Sequence, residues 1–254
     1  SVGMTGTAYK FSEERIPVDS NIVHFNNFAI SGLNDNPLRV NGTVDARHLT
    51  NIGIDLGLAA RSMQIVGSSR PRGANIYGKA FIDLDAKVNG NLNFLNVDAS
   101  LDLLPETNVT YVMTSSQSTL QSRSAGTMVQ FVQFSDTTTV APDSIQQSGM
   151  AMNLDAKLKI SEGSTINVDI SPDGKNKASI KAMGELLYNL NPMNDGRLSG
   201  RVTINSGFVR YTPPFMSEKN FSFNEGSYVS FNGDMLNPTL SIKAVDEMKA
   251  NVTQ

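Results

Sequence analysis

The side chains that could do chemistry are few. Two histidines, His24 and His48, stand outside any His-Glu-x-x-His spacing, and the absence of cysteine removes thiolate catalysis, disulfides and cysteine metal sites. Carboxylates are more numerous. Asp45, Asp55, Asp83, Asp85, Asp98, Asp102, Asp155 and Asp169 fall on strand faces opposite the apolar ones. Two of them could act as the acid and base of glycoside hydrolysis, but such a dyad works in a cleft with sugar-stacking aromatics, and the chain has no tryptophan. Gly-x-Ser-x-Gly, a phosphate loop and a dinucleotide fingerprint are missing, and turns such as Asp173-Gly174 lack the ligand series of a calcium loop. The chemistry-bearing residues therefore point to no enzyme, no metal site and no cofactor. The carboxylates read as solvated strand faces.

The elements that would position such groups are β-strands. Asn, Ser, Thr, Gly, Asp, Val and Ile dominate the 254 residues, and aromatics make up 7%. A net charge of −3 and a pI near 5.4 supply no basic field, so nucleic acid is not an expected partner. No run approaches the roughly 20 apolar residues that span a bilayer, and no secretory leader pattern opens the chain. Together with the polar stretch that follows a strong strand at the end, this reads as a fragment of a longer β-protein.

Alternation of apolar and polar residues runs through most of the sequence. Leu38, Val40, Gly42 and Val44 alternate with polar neighbours, as do Ile52, Ile54, Leu56 and Leu58. From 74 to 94 the alternation is unbroken, which is long for one strand, so a hairpin at 85–87 or a bulge at Gly90 is expected. Val97, Ala99, Leu101 and Leu103 follow in the opposite phase. A first sheet block is expected over 1–113, a polar mobile loop over 114–127, and a second block over 128–254 continuous with the first, with a short β-rich island at 129–134. In the second block Leu154 to Ile160 and Ile166 to Ile170 read as a hairpin across Ser161-Glu162-Gly163-Ser164. Residues 185–190 read as the one place for a helical turn.

The stretch 197–245 is the most regular. Leu198, Gly200, Val202 and Ile204 share one face; Ser206-Gly207 reads as a turn, 208–211 as a returning strand, and Thr212-Pro213-Pro214 as its stop. Phe221 and Phe223 lead to a hairpin signal at Asn224-Glu225-Gly226, and Asn232-Gly233-Asp234 turns again before Leu240, Ile242 and Ala244. Every strong strand thus presents one oily side, too large in sum to leave in water. It is either the core of a closed sandwich or barrel, or the concave face of an open, curled sheet.

The run Leu198-x-Gly200-x-Val202-x-Ile204-x-x-Gly207, followed by Phe223-x-x-Gly226-Ser227-x-Val229-x-Phe231-x-Gly233-Asp234-x-x-Asn237-Pro238-x-Leu240-x-Ile242-x-Ala244, resembles the C-terminal region of the TamB family, the translocation and assembly module of diderm bacterial envelopes. The motifs cover 186–245, and 38–104 is similar in style. The resemblance implies an all-β, antiparallel meander curled into an open half-pipe, the β-taco of TamB-like and AsmA-like proteins, with a closed β-sandwich or barrel as the alternative. It implies a periplasm-bridging conduit that moves phospholipid between inner and outer membranes. The alternatives are a chaperone-like module in outer-membrane barrel assembly or autotransporter secretion, and a passive structural β-domain. The expected partners are phospholipid acyl chains and an Omp85-type outer-membrane barrel. The expected location is the periplasm of a diderm bacterium, with an inner-membrane anchor outside this fragment. Carried onto this sequence, the groove would be lined by Val40, Val44, Ile54, Leu56, Leu58, Ile82, Leu84, Leu154, Leu158, Ile166, Val168, Val202, Ile204, Phe221, Phe223, Val229, Phe231, Leu240 and Ile242.

Overall fold

A computed structural model describes residues 10–13, 15–68, 75–113, 151–171, 173–212 and 217–246. The loop expected at 114–127, the boundaries beside it, the island at 129–134 and the stop at Pro213-Pro214 lie outside those residues. The described chain is all-β. Its strands in order are β1 (Lys10–Phe11), β2 (Val18–Asp19), β3 (Ile22–Ser31), β4 (Leu38–Asp45), β5 (Gly53–Ser68), β6 (Ile76–Asn91), β7 (Phe94–Leu103), β8 (Asn108–Val112), β9 (Ala151–Ile160), β10 (Thr165–Asp169), β11 (Lys177–Asn191), β12 (Asn194–Tyr211), β13 (Lys219–Phe223), β14 (Ser227–Gly233), β15 (Thr239–Ser241) and β16 (Ala244–Asp246). All sixteen belong to one sheet.

The pairing departs from the expected open meander in two ways. β7 and β9 pair parallel, as do β8 and β10, where an antiparallel ladder was expected throughout. The ladder also closes on itself through six strands, β6–β7–β9–β11–β10–β8. In this part the sheet is a closed ring, the barrel form of the alternative, and the expectation of an open half-pipe from edge to edge is corrected. The ring arises because β7 and β8 succeed each other along one edge of β6, and β9 and β10 along one edge of β11. Wings extend from it on both sides, β5–β4–β3 and β12 to β16.

The ring surrounds two short interruptions, 104–107 and 161–164, that lie side by side. Each is a four-residue turn closed by a backbone hydrogen bond, Thr107 N to Leu104 O (3.0 Å) and Ser164 N to Ser161 O (3.2 Å). A third of the same form, Ser227 N to Asn224 O (3.4 Å), separates β13 from β14. Each ends in a buried hydroxyl residue, and Thr107, Ser164 and Ser227 are the most completely buried side chains among the described residues. Their hydroxyls satisfy backbone groups that the broken ladder leaves over. Thr107 Oγ1 accepts from Phe81 N (3.1 Å), Ser164 Oγ donates to Leu104 O (3.0 Å), and Ser227 Oγ accepts from Lys243 N (3.0 Å). Register shifts in β5 after Ala60 and between Lys181 and Ala182 of β11 continue the same line. A crease thus crosses the sheet from β5 to β16. Ala60, Met63, Ile82, Ile160, Ala182, Val202 and Ile204, most of the buried apolar residues, sit along it.

Several turn signals are used differently from their expected reading. Ser161-Glu162-Gly163-Ser164 and Asn224-Glu225-Gly226 do turn the chain locally, but the strands on either side run end to end along one neighbour rather than pairing as hairpins, because β11 and β12 are long enough to hold both pieces. Ser206-Gly207 is not a turn; β12 continues through it. Gly207 is needed because a Cβ there would lie 2.3 Å from Ser179 O. Nor does 74–94 break at 85–87: β5 and β7 hold β6 continuously on both edges, and the turn falls at Leu92-Asn93. Gly90 stays in the strand with φ +130°. Residues 185–190 are strand, paired with both β9 and β12, not a helical turn.

β7 and β9 carry the same pattern, Asn96-Val97-Asp98-Ala99-Ser100-Leu101-Asp102-Leu103 against Asn153-Leu154-Asp155-Ala156-Lys157-Leu158-Lys159-Ile160, stacked residue on residue. The amides join the two strands, Asn153 Nδ2 donating to Asn96 Oδ1 at 3.0 Å. A one-residue slip would reverse both faces, so the stacked repeat fixes the parallel register.

Thr107→Val keeps the shape of the side chain but leaves the Phe81 N–H without its acceptor. Urea unfolding is expected to show a loss of about 1–3 kcal/mol, against a change within about 0.5 kcal/mol for Thr43→Val, where the side chain is not one of the buried hydroxyls.

Candidate functional site

The register sorts the apolar residues into rows that run across the strands. One row is Val44–Ile54–Gly90–Leu95–Met152 and the next Leu56–Val88–Val97–Leu154–Leu190. The third is Val40–Leu58–Ala86–Ala99–Ala156–Tyr188–Leu198, and the fourth Leu84–Leu101–Leu158–Leu186–Gly200–Phe231. The fifth, against the crease, is Ile82–Leu103–Ile160–Gly184–Val202–Val229–Leu240. Beyond the crease Ile204 pairs with Ala182, Ile166 joins Ile180, Gly207 and Phe223, and Val168 joins Ala178, Val209 and Phe221.

The residues expected to line a groove are therefore brought onto one face. Ile242 alone among them lies between strands, in the break between β15 and β16. Val40, Ile82, Val202 and Ile204 are buried, Leu240 and Ile242 are exposed at the sheet edge, and the rest are half-buried. Half-burial along so many strands means that side chains crowd one another within the sheet while their outer ends stay uncovered. The third row holds what the sequence reading passed over: Ala86, Ala99 and Ala156 are consecutive across β6, β7 and β9, so methyl groups there form a furrow between the leucines and valines of the rows on either side. Their alternation was legible. Their alignment depends on the parallel pairing.

The opposite face is polar and several of its charges are paired. Arg61 meets Asp85 at 2.8 Å, Lys157 meets Glu185 at 3.1 Å, and Lys159 meets Asp102 at 3.9 Å. Exposed pairs of this kind each contribute little to stability. A cleft of about 1010 Å3 runs across eight strands on this side. In each central strand it is bordered by the two residues flanking the third apolar row, Asp85 and Lys87, Asp98 and Ser100, Asp155 and Lys157, Leu187 and Asn189. On β12 it takes Arg197 and Ser199 without Leu198, which places it between two ridges of outward side chains. Of the expected groove residues Leu58 borders it. His24 pairs with Thr43 on β3 and β4, far from any cluster, and no group of three metal-ligating side chains occurs among the described residues.

A model of the TamB C-terminal domain matches residues 26–254, most of the chain, well beyond the segment where the motifs are dense. The chain belongs to the TamB family. Comparison with curated proteins and with solved structures returns no match. TamB-family membership places the chain among bacterial envelope proteins and with a transport and assembly module. Among the described residues no helix is long and apolar enough to cross a membrane, a statement that does not bear on strands.

One carboxylate is strongly perturbed. Asp45, at the start of the turn between β4 and β5, accepts hydrogen bonds from Arg47 Nε (2.9 Å) and Arg47 N (3.0 Å), and these lower its pKa from 3.8 to about 2. The sign follows from which form the turn binds. Arg47 holds the ionised carboxylate, so the stabilisation is complete above 3.8 and is lost as pH falls through about 2. In an NMR titration Asp45 is expected to keep its ionised shift at pH values where ordinary aspartates protonate, and Arg47→Ala to raise its midpoint part of the way to the ordinary range, since the backbone N–H of residue 47 still donates.

Proposed function

We propose that this TamB-family chain is a stretch of a periplasm-bridging lipid conduit, and that its apolar sheet face receives phospholipid acyl chains on their way between inner and outer membranes. One observation carries the reading: the rows from Val44–Ile54 to Ile82–Val202 form an apolar surface continuous over β4 to β14, most of whose side chains are only half-buried. Apolar surface removed from water is worth about 25 cal/mol per Å2, so an acyl chain laid across these rows is stabilised without any specific contact. The crease favours a trough in this reading. Strands that bend at one level with the core on the inside make the apolar face concave, and the wings on either side of the ring would be its open, half-pipe portions. The furrow of Ala86, Ala99 and Ala156 would be its floor, and the headgroup would stay in water beyond the rims.

Movement in such a trough is a slide past many weak and similar sites. The chain would be anchored to the inner membrane through a segment outside this sequence and would deliver to an Omp85-type barrel. A second reading has its own support. The outermost strands β15 and β16 each pair over three residues and leave Leu240, Ile242 and Val245 exposed, an edge suited to strand addition by an unfolded outer-membrane barrel. Crosslinks from Leu240 to client strands would favour that reading.

Native mass spectrometry with lipid extraction tests the conduit. The parent chain is expected to carry co-purifying phospholipid, and Leu56→Asp or Val202→Asp to abolish it. Asp45→Ala and His48→Ala should leave it intact; equal effects from the two sets would refute the reading. Ala99→Phe fills the furrow without adding charge and is expected to lower lipid occupancy at least severalfold, about what loss of one well-buried methylene contact region implies.

A further inference from the structure

The turns at one end of the sheet carry a feature that neither the apolar face nor the family accounts for. Five described turns lie there, 20–21, 46–52, 92–93, 192–193 and 234–238, since Asp45, Gly53, Asn91, Phe94 and Ala151 follow one another in register and Leu198 pairs with Gly233. Four of the five place a large apolar side chain at the tip. Leu49 is 80% exposed, Leu92 44%, Met193 97% and Leu236 78%. Turn positions ordinarily go to Gly, Asn, Asp and Ser, whose backbone preferences or side-chain hydrogen bonds suit them. Single exposed apolar residues need no explanation, but four at one end of the sheet form a pattern.

We propose that this end of the sheet docks on the surface of a zwitterionic lipid bilayer, with the four tips entering the headgroup region. Two observations select that occupant. Neighbouring tips are separated by two or three strands, about 10–15 Å at ordinary strand spacing, so they do not touch and cannot form the packed centre that a protein partner or a second copy requires. A bilayer accepts isolated apolar side chains one at a time. The second observation is charge. Around the tips, Asp45 is paired with Arg47, Asp234 keeps its charge while accepting from Leu236 N (2.8 Å), a single Arg197 lies beside Gly233, and Asn51, Asn91, Asn93 and Asn237 supply uncharged amides. With no cationic cluster among the described residues of these turns, attraction to anionic lipid is weak and binding should be insensitive to salt. The proposal concerns the strand ends, not the apolar face, and holds whether or not that face carries lipid.

The chain lacks tryptophan, so one substitution gives a single reporter. On mixing with phosphatidylcholine vesicles, Met193→Trp is expected to shift its emission to the blue, and Leu33→Trp, in the turn between β3 and β4 at the opposite end, to stay unchanged. The combined Leu49→Ser, Leu92→Ser, Met193→Ser and Leu236→Ser variant should float with vesicles at least tenfold less than the parent, as loss of several apolar insertions demands. Leu33→Ser, at the opposite end, should float as the parent does. Flotation should survive high salt. Equal shifts at 193 and 33, no shift at 193, or loss of flotation in salt would overturn the proposal. So would a blue shift at 193 that grows with protein concentration and needs no vesicles, since that assigns the rim to a second copy.

Discussion

Everything in this sheet depends on how it treats backbone groups where strands are interrupted. A break in a ladder leaves N–H and C=O groups facing a neighbour with nothing to pair, and inside a sheet water cannot reach them. Here the breaks are four-residue turns, and the hydroxyls of Thr107, Ser164 and Ser227 take up the unpaired groups on the adjoining strand or turn. Because a hydroxyl both donates and accepts, one small side chain can serve two backbone atoms: Ser227 donates to Asn224 O and accepts from Lys243 N. That makes an aligned series of breaks affordable and lets long strands change direction at one level.

The crease and the core are consequences of each other. Strands of 15 to 18 residues such as β11 and β12 would be too long to curl smoothly. Bending them at a shared line brings the apolar side chains on the inside of the bend together, and that is where Ile160, Ala182, Leu186 and Val202 form a cluster with Leu103 and Phe231 against it. Glycine permits close backbone approaches beside the line. Gly200, at φ +123°, would put a Cβ 2.2 Å from Glu185 O. Away from the crease burial falls and the rows become a half-covered surface. A protein of this family thereby holds a small, stable spine and an extended apolar face in one layer.

On the outer face the same register produces ladders of amides and ion pairs. Asn89, Asn96 and Asn153 stand in line, and Asn96 and Asn153 are joined by their side chains. Directly opposed like residues are not always favourable: Asp98 faces Asp155 across the parallel pair. Asn189 donates to Asp155 and Lys87 stands opposite Asp98 on β6, which offsets the repulsion. The pattern follows from stacking a repeated sequence upon itself, where charge had less weight than the apolar match on the other side.

Period-two alternation fixed by itself that the chain is all-β and that Val40, Leu56, Leu84, Leu158 and Val202 share a face, because side-chain direction along a strand is a local property. The ordered Gly-Ser, Gly-Asp and Asn-Pro turns of 226–238 identified the family for the same reason. What tertiary structure decided is which edges meet. Ser161-Glu162-Gly163-Ser164 and Asn224-Glu225-Gly226 encode a tight local turn, and whether the chain then reverses or resumes its course depends on a neighbouring strand long enough to hold both pieces. The parallel match of β7 with β9 is likewise a pairing between residues about 57 positions apart, as with Asn96 and Asn153, and no pattern within either strand names its partner. Turn residues set φ and ψ; the ladder, being non-local, sets topology.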